Sequence, residues 1–238
     1  MSQTALLVFA RAAGLIARAP GFSHPSVPPL VRAGLALALA LAVAPTVARG
    51  SALSLVALTV ALAGDFALGA AIGVGAALLY DGAYAAGRTI DDYLGVRGSV
   101  PNANVTSAQA FGRLWSYAFL AAFVLLDGWV PVVGAFAASF AHVAPGGVVS
   151  SHDLLRFALT LPATIGHAAL VVAAPAIAVA AALQLALAAV ARVVPRFASF
   201  TLAFPVVFGA ALLVTVVTVP LLAPLGARPW LVLPWGTR

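Results

Sequence analysis

The stretch from Phe200 to Leu222 contains no charged side chain, Ala168 to Ala191 contains none either, and Leu30 to Val47 contains only Arg32. A run of about 20 mainly apolar residues matches the hydrocarbon thickness of a bilayer as a helix. Three such runs in one chain leave little choice of solvent. Of the 238 residues, 63% are apolar and only 8% charged, where a soluble domain carries about 25% charged residues. The sequence is therefore read as an all-α, polytopic helical membrane protein, built of bent hairpins that Pro and Gly break.

The charges narrow the function. All twelve basic residues are Arg and all six acids are Asp, for a net charge of +6. The Arg residues stand singly along the chain, with no basic run interleaved with aromatics, so nucleic acid is excluded as a partner; scattered Arg suits helix ends at a membrane surface. There is no cysteine, which removes disulfides, thiolate metal sites and a Cys nucleophile. His24, His142, His152 and His167 share no ligand spacing on one helix. No Ser-His-Asp set, phosphate-binding loop or HExxH pattern is present. The expectation is no enzyme, no cofactor and no metal.

The expected order of elements follows the apolar runs. Thr4 to Ala19 forms a first, short helix that contains Arg11 and ends at Pro20-Gly21. It is read as a retained helix, because Met1 to Thr4 lack the side-chain charge of a signal peptide. Leu30 to Val47 is the second helix, and Ala52 to Tyr80 the third, with Gly87 as its furthest end. The polar stretch Arg88 to Arg113 is read as a loop, or a helical hairpin tip, at a membrane surface. Leu114 to Leu126 and Val130 to Val143 form a tight αα-hairpin about Asp127-Gly128, where Asp bonds the local backbone and Gly takes positive φ. Leu154 to Val194 is bent at Pro162 and Pro175, and Phe200 to Leu222 is bent or broken at Pro205 and Pro220. The whole is one membrane domain over 1–238, with N-terminal hairpins over about 1–150, a long bent hairpin over about 151–223 and a short tail over 224–238.

Orientation comes from charge. If every short segment crosses, there are seven crossings. Arg18, Arg32, Arg88, Arg97, Arg113, Arg156, Arg228 and Arg238 then share one side, against Arg49, Arg192 and Arg196. That puts the N-terminus outside and the C-terminus in the cytoplasm.

Asp65 lies within the third apolar run, and an ionisable group there is a functional candidate by default. It is open to three readings: a proton or ion site, a buried pair with an Arg, or a position at the interface. Asp81, Asp91 and Asp92 are expected to be solvated or paired with Arg88. Gln184 is expected to bond within the bundle. Gly69 and Gly73 make a small-xxx-small pattern that lets helices approach closely.

Several short patterns, in order along nearly the whole chain, resemble the R-type inner-membrane component of the flagellar and virulence type III export apparatus, the FliR/SpaR/YscT family. Val27-Pro28-Pro29-Leu30-Val31-Arg32 resembles the family's V-P-x-x-V-R entry to helix two. Asp65 followed by Gly69 and Gly73 resembles its acid-then-glycine helix, with Asp where Glu is usual. Ala86-Gly87-Arg88-Thr89-Ile90-Asp91-Asp92-Tyr93-Leu94-Gly95 is similar to A-G-Q-x-I-D-x-Q-x-G. Leu126-Asp127-Gly128 is similar to L-D-G, with Trp129 where His is usual. Ser139-Phe140 with Pro145-Gly146 resembles S-F-x4-P-G. Arg192, Pro195, Phe200 and Pro205 resemble R-x-x-P-Q-x-N-x-F-x4-P, but Arg196, Ala198 and Val207 replace the usual Gln, Asn and Lys. Pro175 is a further structural candidate.

The resemblance implies a structural subunit of an export gate in the bacterial inner membrane. It would assemble with P-type and Q-type membrane subunits into a ring of bent hairpins, partly raised toward the periplasm. The ring would surround the channel for unfolded secreted proteins, with a switch-type membrane protein docked on its cytoplasmic side. A reading of a different class is a secondary transporter of a small solute that uses Asp65 as its ion-coupling site.

Overall fold

The computed structural model describes residues 2–23, 27–47, 52–95, 110–147, 150–194, 200–226 and 233–234. Among them there are seven α-helices and no strand: α1 (Gln3–Arg18), α2 (Pro29–Val43), α3 (Leu55–Leu94), α4 (Ala110–Leu125), α5 (Trp129–His142), α6 (Ser151–Ala191) and α7 (Phe200–Gly226). Local chemistry sets several ends. The Ser2 hydroxyl accepts from the Ala5 N–H at 3.3 Å and caps α1, and Gly21 leaves it with φ of 80°. Pro29 occupies the first turn of α2, where its missing N–H would have had no helical partner. Gly95 ends α3 in the left-handed region, at φ 68°.

Three expectations about the elements are corrected. First, Arg88 to Leu94 is not loop but the last two turns of α3. Its polar residues conceal a helical period: Ala83, Ala86, Gly87, Ile90, Asp91 and Leu94 are buried, while Arg88, Thr89, Asp92 and Tyr93 face outward. The same holds for Ala110 to Arg113, which open α4 with Phe111 and Gly112 buried. A stretch read by its polarity alone hides an amphipathic helix.

Second, Asp127-Gly128 does not close a tight hairpin. It is an elbow that bends the path from α4 to α5 by 71°. Gly128 N–H donates to the Phe123 carbonyl at 2.7 Å and Asp127 N–H to the Val124 carbonyl at 3.3 Å, the paired bonds of a Schellman helix end. Asp127, not Gly128, takes positive φ, at 51°. Gly128 has helical angles and is needed for space, since a Cβ there would meet the Phe123 ring at 2.6 Å.

Third, among the described residues three helices, α2 with its following turn, α3 and α6, are long and apolar enough to cross a membrane, or four if the bent α4–α5 pair counts as one span. The count of seven crossings took every short segment as a span, including α4 and α5 separately, which reach spanning length among the described residues only as a bent pair. α1 is short, at 16 residues, and α7 has a described apolar stretch of Ala203–Thr218. Neither α6 at Pro162 and Pro175 nor α7 at Pro205 and Pro220 is interrupted.

The chain divides into two compact units that interleave in sequence. One comprises Met1–Leu78, Leu120–Ala163 and Leu231–Arg238; the other comprises Leu79–Phe119 and Thr164–Trp230. In the first, α1 is the central element. Leu7, Val8, Ala12 and Leu15 are buried, and Gln3 pins its start by exchanging two hydrogen bonds with the backbone of Leu53, at 2.8 and 3.1 Å. The second unit packs Ile90, Phe111, Trp115, Val172, Ala176 and Val207 into one apolar cluster, with Phe111 edge-on to Phe208 at 5.2 Å.

Candidate functional site

Within the first unit, α1 crosses α3 at a contact made of glycines. A Cβ on Gly69 would strike the Arg11 carbonyl, one on Gly14 the Phe66 carbonyl, and one on Gly73 the Leu15 carbonyl at 2.8 Å. Backbones that close leave no room for side chains. The crossing places Arg11 of α1 beside Asp65 of α3, and both are fully buried.

The Arg11 guanidinium fills its hydrogen-bonding capacity. A guanidinium has five N–H donors. Nε donates to Asp65 Oδ1 at 2.6 Å, and Nη2 pairs with the same oxygen. Nη1 donates to Ser139 Oγ at 3.0 Å and to the Val143 carbonyl at 2.9 Å, and Nη2 to the Ala144 carbonyl at 3.4 Å. The face of the guanidinium lies 4.2 Å from the centroid of the Phe140 ring. Ser139, having accepted from Arg11, donates to the Phe136 carbonyl at 2.6 Å. The second Asp65 oxygen accepts the Gly146 N–H at 2.8 Å.

This arrangement explains how two charges persist without water. A buried ion pair is tolerable when extra hydrogen bonds satisfy the remaining donors and lone pairs. Here the cation also meets the carbonyls of Val143, the C-cap of α5, and of Ala144 just beyond it. The acceptor side is completed by a turn. Gly147 N–H bonds the Ala144 carbonyl at 2.8 Å, with Pro145 second and Gly146 third at φ 76°, as a type II turn requires. Of the three readings of Asp65, the geometry is that of the buried pair with an Arg.

The second unit holds another organised carboxylate. Asp91, on α3, accepts from the N–H groups of Phe111 at 2.9 Å and Gly112 at 3.0 Å. These are donors near the start of α4 that an N-cap side chain would normally take. Asp91 caps α4 from another helix, and Gly87 one turn earlier lets the backbones meet, since a Cβ there would strike the Phe111 carbonyl. The expectation that Asp91 is solvated or paired with Arg88 is thus corrected: Asp91 is buried, whereas Asp92 and Arg88 are exposed. Gln184 accepts from the Tyr93 hydroxyl at 3.2 Å, at an exposed position.

The sequence candidates therefore separate into groups. Asp65, Gly69, Ser139, Phe140 and Pro145 come together around Arg11, while Gly73 meets α1 further along, at Leu15 and Arg18; Gly87 and Asp91 meet α4. Asp127 and Gly128 form the elbow, where the Trp129 indole N–H donates to Asp127 Oδ1 at 3.2 Å. Pro28 and Arg32 sit at the start of α2, Pro175 lies half-buried within α6, and Gly95 ends α3. Arg192 is exposed in the turn after α6, Pro205 is exposed on α7, and Phe200 opens that helix. Pro195, with Arg97, Arg196 and Ala198, lies outside the described residues. Arg11 is the residue that sequence reasoning missed. The signal was present: a lone Arg inside an apolar run requires a buried partner as much as a lone Asp does.

Among the described residues, no three His, Cys, Asp or Glu side chains gather as a metal site would need. The fold and these filled polar sites define a class, that of multi-pass helical membrane proteins whose buried charges hold helices together. The chain belongs to the family described as bacterial export proteins, family 1, whose model matches residues 2–230. This is the family to which the R-type resemblance points. No curated protein matches the chain. It is thus a membrane component of a bacterial protein export apparatus, in a family of structural export proteins rather than an enzyme class.

Proposed function

We propose that the chain is a structural subunit of a type III export gate in the bacterial inner membrane. It assembles with P-type and Q-type membrane subunits around the channel for unfolded substrate proteins, partly raised toward the periplasm, and a switch-type membrane protein docks on the cytoplasmic side. The observation that carries this reading is apolar surface on two helices each too short to cross lipid singly and bent by 71° where they join. α4 has 16 residues and α5 has 14, below the roughly 20 of a span. Yet Leu125 is 81% exposed, Leu126 70% and Trp129 47%. Neighbouring protein chains would cover such faces where lipid alone would not.

The transporter reading has less support. An ion-coupling carboxylate must exchange its ligand, whereas Asp65 already holds a guanidinium on one oxygen and a backbone N–H on the other. Affinity purification of the tagged chain from native membranes in mild detergent, followed by mass spectrometry, tests the proposal. Two further small polytopic proteins in one large particle support it. A lone monomer or homodimer across several detergents overturns it.

A further inference from the structure

We propose that Arg11 is a latch that holds the Pro145–Gly146 turn against α1 and α3, and so fixes where the chain leaves α5 for α6. The segment Val143-Ala144-Pro145-Gly146-Gly147 has no polar side chain of its own. Three hydrogen bonds tie it to distant parts of the chain, and they run to Arg11 and Asp65. The Val143 and Ala144 carbonyls accept from the guanidinium, and the Gly146 N–H donates to the carboxylate. Around Gly146 the nearest side chains are apolar: a Cβ there would lie 3.4 to 3.6 Å from Leu7, Leu53 and Ala61.

The latch works as one unit. The Ala144 carbonyl accepts both the bond that closes the turn and the bond from Nη2, so loosening the guanidinium loosens the turn. The same movement strips Asp65 of its cation. Only the planar fork of Arg reaches all of these acceptors together. A Lys ammonium keeps the charge but has three donors on one atom and cannot span them.

Hydrogen–deuterium exchange on the purified full chain in detergent tests it, comparing wild type with Arg11→Lys. The latch requires exchange at the Gly146 and Gly147 amides to rise roughly tenfold or more in Arg11→Lys, while amides of α3 from Leu68 to Leu78 keep their protection. Wild-type exchange at the turn in Arg11→Lys overturns the proposal. So does an equal rise throughout α1 and α3, which would make Arg11 a general stabiliser. Should Arg11→Lys not fold, Ser139→Ala removes a single acceptor of the guanidinium. A smaller rise confined to the same segment supports the latch, and no change in it overturns the latch.

Discussion

Arg11 and Asp65, 54 positions apart in sequence, form a fully buried ion pair in which the guanidinium Nε donates to the carboxylate at 2.6 Å. The other acceptors of Arg11 are a hydroxyl and two backbone carbonyls. Removing one member leaves the other charged and buried. Arg11→Leu and Asp65→Leu should each destabilise the chain by about 3–5 kcal/mol. The double variant should lose clearly less than the sum of the two. Unfolding in mixed micelles measures all three. Additive losses would show that the two charges do not depend on each other.

The glycines of the α1–α3 crossing offer a matched pair. A Cβ on Gly69 would run into the backbone of Arg11, which has no flexible end to move aside, whereas Gly64 on the same helix has open space around it. Gly69→Ala should destabilise by about 1–3 kcal/mol. Gly64→Ala should be neutral or stabilise by about 0.5–1 kcal/mol through the better helix propensity of Ala. The same unfolding measurement distinguishes them, and equal effects would count against the close crossing.

Asp91 supplies the cap that α4 takes from α3. Asp91→Ala removes the acceptor of two N–H groups and should lower stability by about 1–2 kcal/mol. Asp92→Ala, at the exposed neighbouring position, should leave it unchanged. Exchange of the Phe111 and Gly112 amides gives a local readout: it should quicken in the first variant only.

At the elbow, the left-handed residue is Asp127 and the close contact is Gly128. Asp127→Gly relieves a left-handed conformation that costs a side chain about 1–2 kcal/mol and should be neutral or stabilising. Gly128→Ala should destabilise, because its Cβ meets Phe123. Thermal unfolding of the two variants decides the assignment; the reverse order would mean that Gly128 carries the strained backbone.

Much of the fold could be read in the sequence because apolar runs are long and helix is what they form in a membrane. The ends of α2 and α5, and the place of the break at Asp127-Gly128, follow from Pro, Gly and Asp alone. What was hidden had two causes. The polarity of Arg88 to Leu94 suits a loop as well as a helical hairpin tip, and only the alternation of Ala86, Ile90 and Leu94 with Arg88, Asp92 and Tyr93 marks the helix. The partner of Asp65 was hidden for a different reason. A pair across 54 positions depends on how helices cross, and no local pattern fixes a crossing. Arg11 drew attention only as an interruption of an apolar run. Similarly, no local rule assigns Asp91 to the start of a helix that begins at Ala110.

The measurement that bears most directly on the central claim is Asp65→Asn, scored in the same cells for co-purification with companion subunits and for protein secretion. If Asp65 is the structural partner of Arg11 in an export subunit, assembly and secretion fall together, since the variant leaves a buried guanidinium without its counter-charge. If assembly is complete and secretion is abolished, Asp65 acts in transport itself and the structural account is contradicted.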